Sequence, residues 1–176
     1  LEEFIEALVD NLDPRLVEID VVRFEGHGFS MVDNRLFALQ LVKSGLTPAT
    51  LFLASGQVAQ AADVLYKRPI VLMRGSFNPV CNLHLEVMSQ VKKCFLTHIN
   101  ETQADRCMEI CEISMNNLLR GGDIDHLEFL DRADSLKALG KNVLITKMPR
   151  FDNLSELLAR YTKEPIAIAL SIGLPC

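Results

Sequence analysis

The 176-residue chain has no uninterrupted apolar run of the ~18–20 residues that a membrane-spanning helix requires, so no membrane partner is expected. It lacks an excess of positive charge as well. Eighteen Lys and Arg stand against 23 Asp and Glu, giving a net charge of −5 and a pI of about 5.4. That balance argues against a broad nucleic-acid face. It does not exclude a nucleotide site, which needs only a local positive spot. The five cysteines, Cys81, Cys94, Cys107, Cys111 and Cys176, form no CxxC pair. An odd count without paired spacing predicts reduced thiols and a cytoplasmic protein rather than a disulfide frame. Cys107 and Cys111 lie one helical turn apart, as do Cys94 and His98, but the spacing typical of zinc ligands occurs once and without a His pair, so no metal site is expected. A basic signal-peptide start is missing too, since the chain opens Leu1-Glu2-Glu3 and without an initiator Met. Both ends read as cut. The expectation is one α/β domain over residues 1–176 that is a fragment of a longer chain.

What is present is an alternation of apolar runs and amphipathic segments. Hydrophobic residues make up 49% of the chain and charged residues 23%, the proportions of a globular protein. Strands are predicted over 16–22, 49–55, 69–73, 142–146 and 165–172. Helices are predicted near the N-terminus until Asp13-Pro14, from Asp33 to Ser44, over 57–66, over 103–122, from Asp123 or Asp125 to Leu139, and from about Asp152 to Tyr161. Part of 103–122, "CMEICEI", reads equally as a strand. Leu83, Val87, Val91 and Phe95 recur every fourth residue and predict a helix whose stripe faces the sheet. Strands alternating with helices predict an α/β, Rossmann-like three-layer fold with a mostly parallel sheet of about five strands, 69–73 central among them. Ligands in such folds sit at the carboxyl ends of strands. The segments to watch are Arg23–Phe29, Ser55–Gln57, Arg74–Asn78, Thr146–Arg150 and Ser171–Cys176.

The third of these opens "RGSFNPVCNLHLEVM", residues 74–88. Gly75 permits close backbone approach, Ser76 offers a hydroxyl, and Pro79 suits a first helical turn with Asn78 before it as a cap. His84 then falls near a helix start, where free N–H groups favour an anion. The plainer reading is a strand-to-helix turn with a capping histidine. Among the other histidines, His27 between two glycines is a candidate to join this site, His98 ends a helix, and His126 belongs to an acid-capped helix start. Asp131, Arg132 and Asp134 read as a solvated face.

Gly75-Ser76-Phe77-Asn78-Pro79, followed by Val80-Cys81-Asn82-Leu83 and His84, resembles the nucleotide-binding signature of nicotinamide mononucleotide adenylyltransferases, within the HxGH-type nucleotidyltransferases. Cys81 stands where that signature has Thr or His, the motif follows at least two predicted strands rather than the first, and no second phosphate motif of the S-T-x-x-R kind appears downstream. "LVEIDVVRF", "LYKRPIVLMRGSFNPV", "IDHLEFLDRAD" and "ALGKNVLIT" are also similar to a larger, uncharacterised bacterial family often named as nicotinate- or nicotinamide-nucleotide adenylyltransferases. The resemblance implies a nucleotide ligand and adenylyl transfer from ATP, with Mg²⁺, to a mononucleotide. It implies His84 as the catalytic donor and Gly75, Ser76, Phe77, Asn78 and Cys81 at the phosphates. A non-catalytic nucleotide- or protein-binding α/β module is the alternative, and self-association is left open.

Overall fold

The fold is built around the run Ile70–Met73, whose four side chains are at most 1% exposed. Each such fully buried apolar side chain contributes about 1.5–3 kcal/mol. The computed structural model describes residues 2–10, 17–120 and 123–170. In chain order the elements are α1 (Glu2–Val9), α2 (Asn34–Ser44), β1 (Ala49–Phe52), β2 (Val58–Ala59), α3 (Ala61–Leu65), β3 (Ile70–Arg74), α4 (Asn82–Leu96), α5 (Glu101–Asp105), β4 (Met108–Ser114), α6 (Met115–Leu118), β5 (Leu119–Arg120), β6 (Asp123–Ile124), α7 (His126–Ala138), β7 (Asn142–Thr146), α8 (Phe151–Tyr161) and β8 (Ile166–Ala169). Local chemistry sets several of the boundaries. Asp33 caps α2 by accepting the Arg35 N–H at 2.9 Å, and Gly45, at φ 79°, turns the chain out of it. Asp125 caps α7 by accepting the N–H groups of Leu127 and Glu128.

Six strands form one sheet in the order β2-β1-β7-β4-β3-β8. β7, β4, β3 and β8 run parallel, whereas β1 is antiparallel to both β7 and β2. From β3 the chain steps to β4 and then to β7 on one side, and β8 is laid on the other side of β3. The strand order therefore reverses at β3. Alternate residues of each strand supply two cores. Val71, Met73, Cys111, Ile113, Val143 and Ile145 pack with α2, α4 and α7 on one face. Ile70, Leu72, Ile110 and Leu144 pack with α3 and α8 on the other. The protein is thus a mixed α/β fold, a mostly parallel sheet with helices on both faces.

Several expectations are corrected. Residues 17–25 form no strand; Ile19 and Val22 pack on Ile5 and Leu41, and the Ile19 N–H reaches the Leu46 carbonyl at 3.0 Å, so the apolar alternation is satisfied without a ladder. The 103–122 helix is instead α5, strand β4 and the short α6, and β4 is buried on both faces. The 57–66 helix is reduced to α3 by the two-residue strand β2 before it. The predicted N-terminal helix stop at Asp13-Pro14 and the strand end at Ser171–Cys176 lie outside the described residues.

The direction of β1 moves a watched segment. Its turn, with the Leu53 N–H on the Gln57 carbonyl at 2.9 Å, stands at the amino end of β7, where Ala54 donates to the Asn142 side chain at 3.0 Å. Ser55–Gln57 and the Arg23–Phe29 segment therefore lie at the end of the sheet opposite Arg74–Asn78. His27, in a short 3₁₀ turn there, is exposed and does not join the loop after β3.

Candidate functional site

The carboxyl ends of β3, β4 and β7 bring Arg74, Glu112 and Thr146 onto one face, because each lies an even number of residues beyond the apolar positions packed under α8. Glu112 is fully buried. Arg74 donates to it from Nε at 2.6 Å and from Nη2 at 3.0 Å, and the Thr146 hydroxyl donates at 2.6 Å. The same guanidinium holds the carbonyls of Met148 and Pro149 and lies over the Phe151 ring, 4.8 Å from its centroid. Arg74 is therefore fully committed to fastening the β7–α8 connection to the sheet.

The loop from Gly75 to Cys81 leaves β3 where the strand order reverses. Its first N–H, on Gly75, bonds the Glu112 carbonyl at 3.0 Å. Phe77 adopts φ 48° and turns its ring into the core, leaving it 1% exposed. A Cβ at Gly75 would stand 3.1 Å from Phe77 Cζ. The glycine thus makes room for a buried ring, and the Phe77 side chain is enclosed in the core. Gly75→Ala is expected to lower stability by about 1–3 kcal/mol by overpacking this ring, read by urea denaturation. A neutral effect would mean that Phe77 shifts at no cost.

Helix α4 begins at Asn82, not at Pro79, and Cys81 is its N-cap in place of Asn78. His84 occupies the third helical position and reaches back, its Nδ1 accepting the Cys81 N–H at 3.1 Å, with Cys81 Sγ 3.2 Å away. A backbone N–H can only donate, so the neutral ring carries its proton on Nε2. Burial pulls the His84 pKa below its usual value of 6.5. The ring also meets Phe77 at a centroid distance of 5.1 Å. His84 is therefore a partly buried, neutral donor held at the head of a fifteen-residue helix. The helical stripe starts later than expected: Leu83 is 43% exposed, whereas Met88 is buried and Val87, Val91 and Phe95 pack against the core.

Helix α7 closes the other side. Arg132, expected on a solvated face, is 5% exposed. It donates from Nη1 to the Ser76 carbonyl at 3.2 Å and the Asn117 carbonyl at 3.3 Å, and pairs with Glu128 through Nη2. Glu128 in turn accepts the side-chain amide of Asn78. The Ser76 and Asn78 side chains lie at the exposed surface. Of the residues expected at the phosphates, Ser76, Asn78, Cys81 and His84 share this loop and helix head, while Gly75 and Phe77 serve its packing. Arg132 was detectable: it lies three residues after Phe129 and four before Leu136, on the apolar stripe of its own helix.

Other watched side chains stand elsewhere. His98 closes α4, with Nδ1 against the Cys94 carbonyl at 2.8 Å. Cys81, Cys94, Cys107 and Cys111 form no disulfide, and burial pushes the Cys111 thiol up to about 12; Cys176 lies outside the described residues. Among the described residues no three His, Cys, Asp or Glu side chains converge to hold a metal ion, and no helix is long and apolar enough to cross a membrane. In comparison with known proteins the chain matches no family model, no curated protein and no solved structure.

Proposed function

We propose that the loop Gly75–Cys81 and the head of α4 bind the phosphates of a nucleotide in a Rossmann-like fold, and that the chemistry is adenylyl transfer from ATP to the phosphate of a mononucleotide. The observation that carries this reading is a placement. The loop stands at the carboxyl end of β3, where the strand order reverses, and that is where ligands enter open parallel sheets. His84, with Nε2–H as its donor, is fixed beside it by the Cys81 N–H.

In this reaction a phosphate oxygen of the mononucleotide attacks the α-phosphorus of ATP, a new P–O bond forms, and the bond to the leaving pyrophosphate breaks. The nucleophile is already anionic, so no protein base is needed. The protein's part is positioning and donation to charge that develops on the phosphates. His84 supplies one donor from Nε2. The Asn78 amide supplies a second once it leaves Glu128. Glu128, the carboxylate bonded to Asn78 of the loop, is also engaged by Arg132, and no three acidic, His or Cys side chains converge there among the described residues. Mg²⁺ accordingly enters with ATP, as part of the substrate. The test is pyrophosphate release from ATP–Mg²⁺ in the presence of nicotinamide or nicotinate mononucleotide. Turnover that is lost in His84→Ala supports the reading, and no turnover with either acceptor contradicts it.

A specific contact favours a second reading, nucleotide binding without turnover. Glu128 places a negative charge on Asn78, next to where the phosphates would lie. Glu128→Gln keeps an acceptor for Asn78 and removes the charge, at the cost of the counter-charge of the buried Arg132. It is expected to strengthen ATP binding by about fivefold, since a unit charge ~4 Å away costs about 1 kcal/mol even in water. Calorimetric titration measures this, and unchanged or weaker binding would mean that the phosphates do not lie near Glu128.

A further inference from the structure

At the opposite end of the sheet from the loop, a cleft of about 600 Å³ opens between the segment from Arg23 to Arg35 and the β1–β2 turn at Gly56–Val58. That volume is in the range of small-molecule sites. Three cations, Arg23, Arg35 and Lys137, line it with two acids, Glu25 and Asp33, while Asp134 pairs with Arg35 from beside it. The three cations are not equivalent. Arg35 is saturated, donating to Asp33 at 2.8 Å and to Asp134 at 2.6 Å. Arg23 is anchored by Nη2 on the Val58 carbonyl at 3.0 Å, and its other amino group makes only a long, exposed contact of 3.4 Å with Glu25. The Lys137 side chain makes no hydrogen bond or ion pair among the described residues. Its field reaches Asp33, whose carboxyl is held below its ordinary range mainly by hydrogen bonds from Arg35, against the effect of burial.

The turn is shaped around that lysine. Gly56 sits at φ 88°, and a Cβ there would lie 2.8 Å from Lys137 Nζ. The missing side chain lets the ammonium lie against the turn, whose Val58 carbonyl accepts from Arg23 in the same cleft. Two cations thus meet Gly56–Val58 in one cleft, and the Lys137 ammonium has no acceptor among the described residues.

We propose that this cleft is a second ligand site, in which Lys137 and Arg23 hold the oxyanion group, phosphate or carboxylate, of a small molecule whose body fills the rest of the cleft. The site is independent of the loop after β3 and does not rest on the nucleotide reading. It is tested by titrating the ¹⁵N-labelled protein at constant ionic strength with inorganic phosphate, and separately with acetate, while following the amide signals of Gly56, Gln57 and Val58. Saturable shifts there are expected with at least one probe. Lys137→Met is expected to weaken binding at least fivefold and leave the response of residues 75–84 as in the wild type. Lys137 is exposed, so this variant keeps the fold; Arg23→Met is the second variant and is expected to weaken the same shifts. A response to phosphate but not acetate assigns the phosphate class, and the reverse assigns the carboxylate class. No saturable response at Gly56–Val58 with either probe, an equal response in Lys137→Met, or the same shifts with sodium chloride overturns the proposal.

Discussion

Arg74→Met is expected to lower the unfolding free energy by about 3–5 kcal/mol, the usual cost of leaving one member of a buried ion pair without its counter-charge. Glu112 has no water to turn to, being fully buried, and after the substitution its carboxylate keeps only the Thr146 hydroxyl at 2.6 Å among the side-chain contacts described above. The β7–α8 connection is released as well, because the guanidinium also holds the Met148 and Pro149 carbonyls at 2.7 and 3.1 Å. The double substitution Arg74→Met with Glu112→Leu separates the two effects. It removes both charges, and replacing a buried pair by apolar groups is often close to neutral. It should therefore be clearly more stable than Arg74→Met alone, with the remaining deficit reporting the lost carbonyl contacts. Urea denaturation of the three proteins measures this. A loss below about 1 kcal/mol in Arg74→Met would mean that Glu112 finds other compensation.

His84→Ala is expected to weaken ATP binding by about 1–3 kcal/mol, the effect of losing a hydrogen bond to a charged group, or roughly five- to 150-fold. Adenylyl transfer should fall further than binding, since the donor acts on charge that grows in the transition state. The same substitution deletes a helix cap, worth about 0.5–2 kcal/mol of stability, so loss of stability alone decides nothing. His84→Gln resolves the ambiguity. A glutamine at the third helical position can reach back to the N-cap N–H as His84 Nδ1 does, but does not reproduce the imidazole Nε2–H. It should restore most of the stability and little of the ATP affinity. If Ala and Gln both bind ATP as the wild type does, His84 is a cap and no more.

The histidine also leaves a pH signature. Burial lowers its pKa in the folded protein below the usual 6.5, so the folded state prefers the neutral ring. Stability from this preference is complete above pH 6.5 and is lost as the pH falls through the lowered value, because the unfolded chain takes up the proton first. Protonation also removes the Nδ1 acceptor and with it the cap. His84→Gln should show a shallower fall of stability over that window.

How far the sequence carried these conclusions depends on the type of signal. β3, β7 and α8 were readable to within one or two residues, because their apolar residues are continuous or periodic and their ends carry Arg74, Gly140 or Arg150. The direction of β1 was not. A strand buried at all four positions reads the same whichever way it runs; the turn through Gly56 sets its pairing with β2, and nothing in its residues marks its antiparallel pairing with β7. β4 was ambiguous because both its faces are covered, so Glu109 and Glu112 break the apolar alternation instead of marking a wet side. Glu109 lies between Lys92 and Lys141, at 2.6 and 2.5 Å, while Glu112 is buried against Arg74. At the candidate site the sequence placed His84 and the loop correctly in the chain. It could not show that Gly75 and Phe77 also serve packing, because packing and ligand contact both favour a glycine and a ring there. It treated Arg132 as solvated because neighbouring acids hid its place on the apolar stripe of α7.

Whether the loop after β3 receives the phosphates of a nucleotide is decided by titrating ATP–Mg²⁺ into ¹⁵N-labelled protein and mapping the amides that respond. Saturable shifts concentrated in residues 75–84 are expected, with a matching rise in the thermal midpoint, since a ligand bound only by the folded state must stabilise it. Both should be much reduced in His84→Gln. Shifts absent from residues 75–84 at saturating ATP, or a midpoint that does not move, would rule this out and leave the loop as a strand-to-helix turn capped by a histidine.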